Sequence, residues 1–504
     1  MSTIKLKATD GSDVMFDEKL IAQGGMKDIY FSPDHSYVVG FFRDKQGPGD
    51  RDRLVDITGK YRDKIFNQVG GEYWKTVLCW PNKIVEHKGR LGVVAPVYDK
   101  QFFFKYGSTN NDFLQLAGKE KEGKWFACAL HQNRNLDPRE RGDWRLYLGV
   151  CIKICRAVRR LHAAGLAHSD LSYKNVLIDP CSSNANIIDL DGLVVPGKHP
   201  PGVVGTPDFI APEVVQTQGL LLGDPKKQLP RRETDQHALA VLVYMYLLYR
   251  HPLRGRLVHD LDDTVRDEQL AMGEKALFVE HPKERSNRYD INWVKKNEGT
   301  RAQYLLPWQD LDVLPYKILG PHLSILCERA FVDGLHNPTQ RPSADDWETA
   351  LVKTLDLLQP CQNPACKQKW FVFDNKTKPI CPFCKTAFKG QLPILNLYYK
   401  RGDKVLSENQ RLMVYNNQYL SPWHTNRNIF PNEKLSDAQK KAVGYFKFDQ
   451  GHWWLVNQSL TSLKDLISNK DIKQGDKIEL VEGKKILLSN EEGGRVILVQ
   501  LVNA

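Results

Sequence analysis

No stretch of this sequence is apolar for long enough to cross a bilayer. The longest uncharged apolar run, residues 238–249, falls well short of the roughly 20 residues that a spanning helix needs. The N-terminus, MSTIKLKATDGSDV, lacks the apolar segment of a secretory leader. These absences argue against a membrane or exported protein, and the expected location is cytoplasmic. Blocks of one charge sign are missing too. The 71 Lys and Arg residues are interspersed with 60 Asp and Glu, so the net charge of +11 describes a solvated surface rather than a nucleic-acid groove. With 504 residues, 41% hydrophobic and 26% charged, the chain has a globular makeup with room for roughly two to four domains. Fibrous and disordered classes do not fit.

What is present centres on residues 161–192, LHAAGLAHSDLSYKNVLIDPCSSNANIIDLDG. Asp170 and Asn175 lie five apart in a loop after a helical pattern, and Val176-Leu177 then enters a strand. A second strand, from Asn186 to Ile188, delivers Asp189 at its end. One carboxylate can orient or accept the proton of an attacking hydroxyl, while Asn175 and Asp189 offer hard oxygen ligands for Mg²⁺ bridging phosphates. Any one of these residues alone would read as a turn cap. Together they specify phosphoryl transfer.

The segment resembles the catalytic core of a protein kinase. His168-Ser169-Asp170-Leu171 with Asn175 follows the H-R-D-L-x-x-x-N pattern without its Arg, and Asp189-Leu190-Asp191 stands where D-F-G is expected. Gly205-Thr206-Pro207 through Ala211-Pro212-Glu213 resembles the end of the activation segment and A-P-E. Asp191-Gly192-Leu193 offers a second register for D-F-G; Asp189 is preferred because it directly follows the apolar strand. The resemblance implies ATP with Mg²⁺ or Mn²⁺ as cofactors, a protein substrate, and catalytic roles for Asp170, Asn175 and Asp189.

Upstream, IAQGGMKDIYF reads as two strands around a glycine turn, and in kinases such a loop lets backbone N–H groups approach the phosphates. Ala22, Gly24 and Lys27 occupy the three glycine positions, so Gly24, Gly25 and Lys27 are candidate nucleotide contacts. The strand YVVGFF carries Gly40 where kinases place the lysine that grips the phosphates. Lys27 is the candidate replacement, because the chain resembles the with-no-lysine kinases, whose lysine sits at the corresponding place; the alternative is a solvated turn lysine. Residues 51–66 repeat Leu54, Ile57, Tyr61 and Ile65 at helical spacing, in the position of the kinase αC helix. That helix contains no Glu, and Asp56 is expected to hold Lys27. Ala95 and Val97, in APVY, are the candidate hinge contacts to adenine.

Residues 99–142 read as a surface insertion pinned by aromatics, and residues 251–310 as a charged insertion without legible chemistry. A helix from 144 to 162 is expected to bury Leu148, Cys151, Cys155 and Val158. A buried helix follows Asp235, which resembles the structural acid of the kinase αF helix, and Arg341 is expected to pair with Glu213. The kinase resemblance covers residues 15–355.

Cysteine usage then changes. Cys361-x4-Cys366 and Cys381-x2-Cys384 present two thiol pairs on tight turns joined by a hairpin, and the spacing resembles a zinc ribbon with one structural Zn²⁺. Two disulfides or a redox pair are the alternatives. Residues 393–504 hold alternating segments, among them LNLYY, GYFKF, HWWLV and RVILVQLV, which predict a β-sandwich. Its second half resembles a forkhead-associated domain, with Ser421-Pro422-Trp423-His424 similar to the S-R-x-H element but lacking the Arg.

The expected architecture is therefore α+β: a bilobal kinase-like domain over 1–355, with lobes 1–98 and 99–355, a zinc ribbon over 356–392, and a forkhead-associated-like sandwich over 393–504. The whole resembles bacterial kinases of tellurite-resistance and stress loci. That resemblance implies a Ser/Thr kinase signalling with a PP2C-type phosphatase and a von Willebrand A-domain protein. The alternative is a pseudokinase scaffold, suggested by the missing strand lysine, catalytic-loop Arg and loop glycines.

Overall fold

The computed structural model describes residues 2–23, 26–200, 205–374, 378–402 and 404–503. Two compact units divide the chain: Met1–Gly142, Leu146–Tyr316 and Ile325–Glu348 form the first, and Asp143–Arg145, Lys317–Ser324 and Thr349–Ala504 the second.

The first unit opens with a hairpin of β1 (Thr3–Lys7) and β2 (Asp13–Asp17). A five-stranded antiparallel sheet follows, built from β3 (Leu20–Gln23), β4 (Lys27–Phe31), β5 (Tyr37–Phe42), β6 (Lys83–His87) and β7 (Arg90–Pro96) in the order β3-β4-β5-β7-β6. β6 and β7 meet through a two-residue turn in which Lys88 and Gly89 both have positive φ (50° and 74°), the handedness that matches strand twist. Between β5 and β6, helix Pro48–Asp56 runs through a π-turn, Ile57–Tyr61, into helix Arg62–Phe66. Leu54, Ile57, Tyr61 and Ile65 are all buried, as their spacing predicts.

The helical part begins at Trp144–Ala164, where Leu148, Cys151, Cys155 and Val158 are completely buried. Burial pushes the Cys151 thiol well above its ordinary pKa, so this helix face is core and not a ligand pair. Helix Arg232–Leu248 is buried nearly all round. The hairpin of β8 (Val176–Asp179) and β9 (Asn184–Ile187) lies between them in sequence; β9 begins earlier and stops one residue sooner than the apolar pattern suggests.

Two insertions differ from expectation. Residues 99–142 contribute fully buried Phe102 and Phe126, and Lys121 forms buried ion pairs with Glu140 (3.0 Å) and Asp179 (2.8 Å). Their polar residues satisfy one another inside, which a surface reading overlooks. Residues 251–310 hold helices Thr264–Met272 and Ile291–Glu298 and a buried carboxylate, Glu280, 2.6 Å from Arg250. Among the described residues, no helix is long and apolar enough to cross a membrane.

In the second unit, β10 (Leu358–Pro360) pairs with β11 (Trp370–Val372), so the Trp370 strand joins the segment before Cys361 rather than forming a hairpin within the spacer. The remaining strands are β12 (Gln391–Arg401), β13 (Lys404–Met413), β14 (Tyr419–Leu420), β15 (Gly444–Asp449), β16 (His452–Asn457), β17 (Lys464–Asp465), β18 (Lys470–Asp471), β19 (Lys477–Glu479), β20 (Lys485–Leu487) and β21 (Arg495–Asn503). They form two sheets, β13-β12-β21-β20-β17-β18 and β14-β15-β16-β19, around one apolar core that includes Leu397, Phe446, Leu455 and Ile497. Alternation along β12 divides its labour: Leu395 and Leu397 enter that core, while Leu392 and Ile394 pack with Phe371 and the cysteine cluster.

All ten cysteines are free of disulfides. Cys79, Cys151, Cys155 and Cys327 are buried, Cys128 is half-buried and Cys181 is exposed.

Candidate active site

The loop that carries Asp170 and Asn175 is fixed from beneath. The Asp235 carboxylate, near the start of the buried helix, accepts the backbone N–H groups of His168 (2.7 Å) and Ser169 (3.3 Å), and sits 3.0 Å from His162 Nε2. Ser169 adopts a left-handed φ of 65°, a conformation uncommon outside glycine and held here by those bonds. His168 Nε2 lies 3.0 Å from the Ile188 carbonyl, and the Ile188 N–H donates to the Asn175 carbonyl at 3.0 Å. The residue preceding Asp189 is thus stitched to both ends of the loop carrying Asp170 and Asn175. Asp189 directly follows this contact, and Asp191 lies two residues beyond it.

Asp170 is held on both oxygens. Asn175 Nδ2 donates to Oδ2 (2.8 Å) and to the Asp170 carbonyl (2.8 Å), and Thr206 Oγ1 donates to Oδ1 (2.8 Å). Seven residues after Thr206, Glu213 receives a bidentate pair from buried Arg341 (2.8 and 2.7 Å), the pairing the sequence led one to expect.

Lys27 opens β4, and its amine reaches across to the loop after β9. Its Nζ lies 2.7 and 2.9 Å from the two Asp191 oxygens and 3.3 Å from Asp189 Oδ1. Burial disfavours the charged amine, but Asp191 and then Asp189 outweigh it and hold the Lys27 pKa above its usual value. The lysine is therefore no solvated turn residue: its side chain is 16% exposed. Gly40 lies beside it, for a Cβ placed there would come 3.4 Å from Lys27 Cδ and 3.0 Å from Ile29 Cδ1.

Asp56 does not hold Lys27. It pairs with Lys198 and with His199 Nε2 (2.7 Å), and those two contacts, Lys198 first, draw its pKa below the usual carboxylate value. The same helix donates from Arg53 to the Pro200 carbonyl at 3.0 Å. Helix order alone suggested Asp56, whereas the segment after Gly192 claims it. The partner of Lys27 that sequence reasoning missed is Asp191, which the sequence offered only as an alternative D-F-G acid, in place of the pattern's glycine.

The hinge candidates separate. Ala95 joins an apolar cluster with Cys79, Phe102, Leu177 and Ile188, whereas Val97 lines a cavity of about 280 Å³ with Phe66, Trp80 and Asn186. Gly24 and Gly25 lie outside the described residues.

In the second unit, the sulfurs of Cys361, Cys366, Cys381 and Cys384 all lie within 4.8 Å of one another, with Cys361–Cys384 at 3.4 Å and Cys366–Cys381 at 3.9 Å. Zn–S bonds of about 2.3 Å in a tetrahedron place sulfurs roughly 3.8 Å apart, so the donor set fits Zn²⁺.

Comparison with known proteins shows what the segment around this site is similar to. Residues 132–306 match the family model of the protein kinase domain, a span that includes Asp170, Asn175, Asp189 and Thr206 but not Lys27. The matched segment has mixed α and β content, and the chain carries further β-sheets outside the match. The chain is 28% identical to the serine/threonine-protein kinase PknD of Chlamydia pneumoniae over 133 residues, 22% of this chain and 13% of that protein. It is 31% identical to the dual serine/threonine and tyrosine protein kinase of Strongylocentrotus purpuratus over 153 residues, 30% of this chain and 14% of the relative. With the death-associated protein kinase dapk-1 of Caenorhabditis elegans, the identity is 34% over 106 residues, 20% of this chain and 7% of the relative. The chain thus spans 7% to 14% of the length of these three curated relatives.

Proposed function

We propose that the protein is an ATP-dependent serine/threonine protein kinase whose phosphate-facing cation is Lys27. The observation that carries this reading is the delivery of one buried amine from β4 to Asp189 and Asp191, next to a loop in which Asn175 and Thr206 hold both oxygens of Asp170. Asp170, so fixed, orients the acceptor hydroxyl and takes its proton. Asn175 and Asp189 are the oxygen donors that would hold Mg²⁺, and Asp189, with its side chain 54% exposed, is open to the cleft. Bound Mg²⁺-ATP supplies the transferable phosphoryl group and neutralises its charge. Lys27 adds positive charge on the phosphate side, and Ala95 with Leu177 offers an apolar wall to the base.

Incubating the purified chain with radiolabelled ATP and Mg²⁺ or Mn²⁺ tests the reading, with Asp170→Ala as control. Phosphate transfer lost in the variant supports it. Nucleotide binding without transfer would instead favour the scaffold alternative, for which the departures at Gly40 and Ser169 speak.

The cysteine cluster is assigned a structural Zn²⁺, supported by its sulfur spacing and by four protein ligands leaving no open position. The C-terminal sheets are read as a forkhead-associated-like sandwich for protein interaction, supported by their shared core and by His424, which accepts the Ser421 N–H (3.0 Å) and lies 3.1 Å from Asp356. Cytoplasmic signalling in a bacterial stress response, with a PP2C-type phosphatase and a von Willebrand A-domain protein as partners, rests on the overall resemblance alone.

A further inference from the structure

We infer that Asp191 is the positioning residue for Lys27, and that this leaves Asp189 to the metal; the inference rests on the kinase reading above. The two acids stand two residues apart around buried Leu190, yet they are placed differently. Asp191 touches the amine with both oxygens and its side chain is only 11% exposed, whereas Asp189 touches with one oxygen at 3.3 Å and is 54% exposed. Asp189 has a left-handed φ of 58°, so the backbone turns sharply between them into the short helix Leu190–Gly192.

Asp191 is thus a buried carboxylate with a dedicated cation, and Asp189 a cleft-facing one that can exchange the amine for a metal ion. A buried anion deprived of its counter-ion is costly, so Asp191 has reason to keep Lys27 when Asp189 lets go. The helix from 48 to 66 offers no substitute. Asp50 pairs with Arg53 (2.6 Å), Asp56 is engaged by Lys198 and His199, Asp63 is exposed and accepts from Asn67 (3.1 Å), and Asp52 is exposed. The lysine is therefore tied to the loop that carries the metal acid, and the helix is tied to the segment at 198–200. The sheet and the metal loop are linked without passing through the helix.

The test uses the full chain and two readouts. The first is Mg²⁺-ATP affinity, by calorimetry, for wild type, Asp191→Asn, Asp191→Glu, Asp56→Asn, Lys27→Met and the double variant Lys27→Met/Asp191→Asn. The second is the rate at which an amine reagent labels Lys27 without nucleotide, read by mass spectrometry. Asp191→Asn is expected to weaken nucleotide about tenfold, the scale of one charge-assisted hydrogen bond, with the Mg²⁺ requirement unchanged. Asp191→Glu recovers part of that loss, the double variant is no weaker than Lys27→Met, and Asp56→Asn binds as wild type. Labelling of Lys27 quickens in Asp191→Asn and not in Asp56→Asn.

A raised Mg²⁺ requirement in Asp191→Asn would make it a metal ligand and overturn the inference. So would additive losses in the double variant, or faster labelling in Asp56→Asn alone. Should wild type fail to bind Mg²⁺-ATP, the kinase reading falls, while the labelling comparison still decides whether Asp191 holds the lysine.

Discussion

Lys27 lies against the bare Cα of Gly40. An added Cβ at 40 would sit 3.4 Å from Lys27 Cδ and 3.8 Å from its Cβ, so the stem of one residue uses the room that the other leaves vacant. The register pairs Ile29 with Gly40 and Lys27 with Phe42, which sets the amine over the Phe42 ring at 5.6 Å. Replacing Gly40 by valine should therefore displace the lysine and cut phosphoryl transfer about as much as Lys27→Met, roughly 10²–10³-fold if the amine stabilises transition-state charge. Lys45→Met, at an exposed position, should leave transfer unchanged. Steady-state assays of the three variants check this, and full activity in Lys27→Met would remove the lysine from the mechanism.

Asp170→Ala and Asp189→Ala should fail differently. The first removes the group that orients the acceptor, with an expected loss of about 10²–10⁴-fold in turnover and little change in ATP affinity. The second removes a metal donor and should weaken Mg²⁺-ATP itself. Equal affinity losses in calorimetry would contradict the division of roles.

Activity should not depend on phosphorylation of the segment between Asp191 and Pro212. Thr206 is its sole hydroxyl residue, and that hydroxyl is already donated to Asp170. A phosphate there would set negative charge against the Asp170 carboxylate, and Ser169 stands where kinases have the Arg that would receive it. Phosphatase treatment should leave the rate intact; a rate that falls with loss of phosphate from Thr206, followed by mass spectrometry, refutes the expectation.

Metal analysis should return one zinc per chain, lost in Cys381→Ser or Cys384→Ser together with a lower melting temperature for the second unit. Metal binding and folding are coupled in sites of this kind. A metal-free protein that melts like wild type would exclude the assignment.

Stability should fall on mild acidification. His237 is buried in helix Arg232–Leu248, and burial, then Arg341, lowers its pKa well below the usual value. Below pH of about 6.5 the unfolded chain binds a proton that the native state refuses, so stability drops by up to about 1.4 kcal/mol per pH unit until the native pKa is reached. His237→Leu should flatten that slope between pH 6.5 and about 5 in thermal melts; an unchanged slope would assign it to other groups.

The local arrangement of the candidate loop was legible because it depends on short spacings: Asp170 to Asn175, then a strand pair, then Asp189. The helix at 144–164 was legible through its apolar period, and the strands of the second unit through alternation. What escaped depends on partners distant in sequence. Asp56 and Asp191 are chemically alike, and only the folded chain decides which of them meets Lys27 and which meets His199. Lys121 and Glu140 fell in the stretch read as a surface insertion because each is polar alone; their mutual satisfaction with Asp179 in the interior has no local signature. Arg250 and Glu280 hid the insertion at 251–310 in the same way.

If the cluster holds zinc, the distribution of thiols makes the protein its own metal indicator. Outside the cluster Cys181 is exposed, Cys128 half-buried and four cysteines buried, so with a metal closing the cluster a thiol reagent would meet Cys181 first and Cys128 more slowly. Chelation should then bring the four cluster thiols into reach without a change elsewhere, and the increment in fast-reacting sulfhydryls reads metal occupancy directly, with no reference to phosphate chemistry.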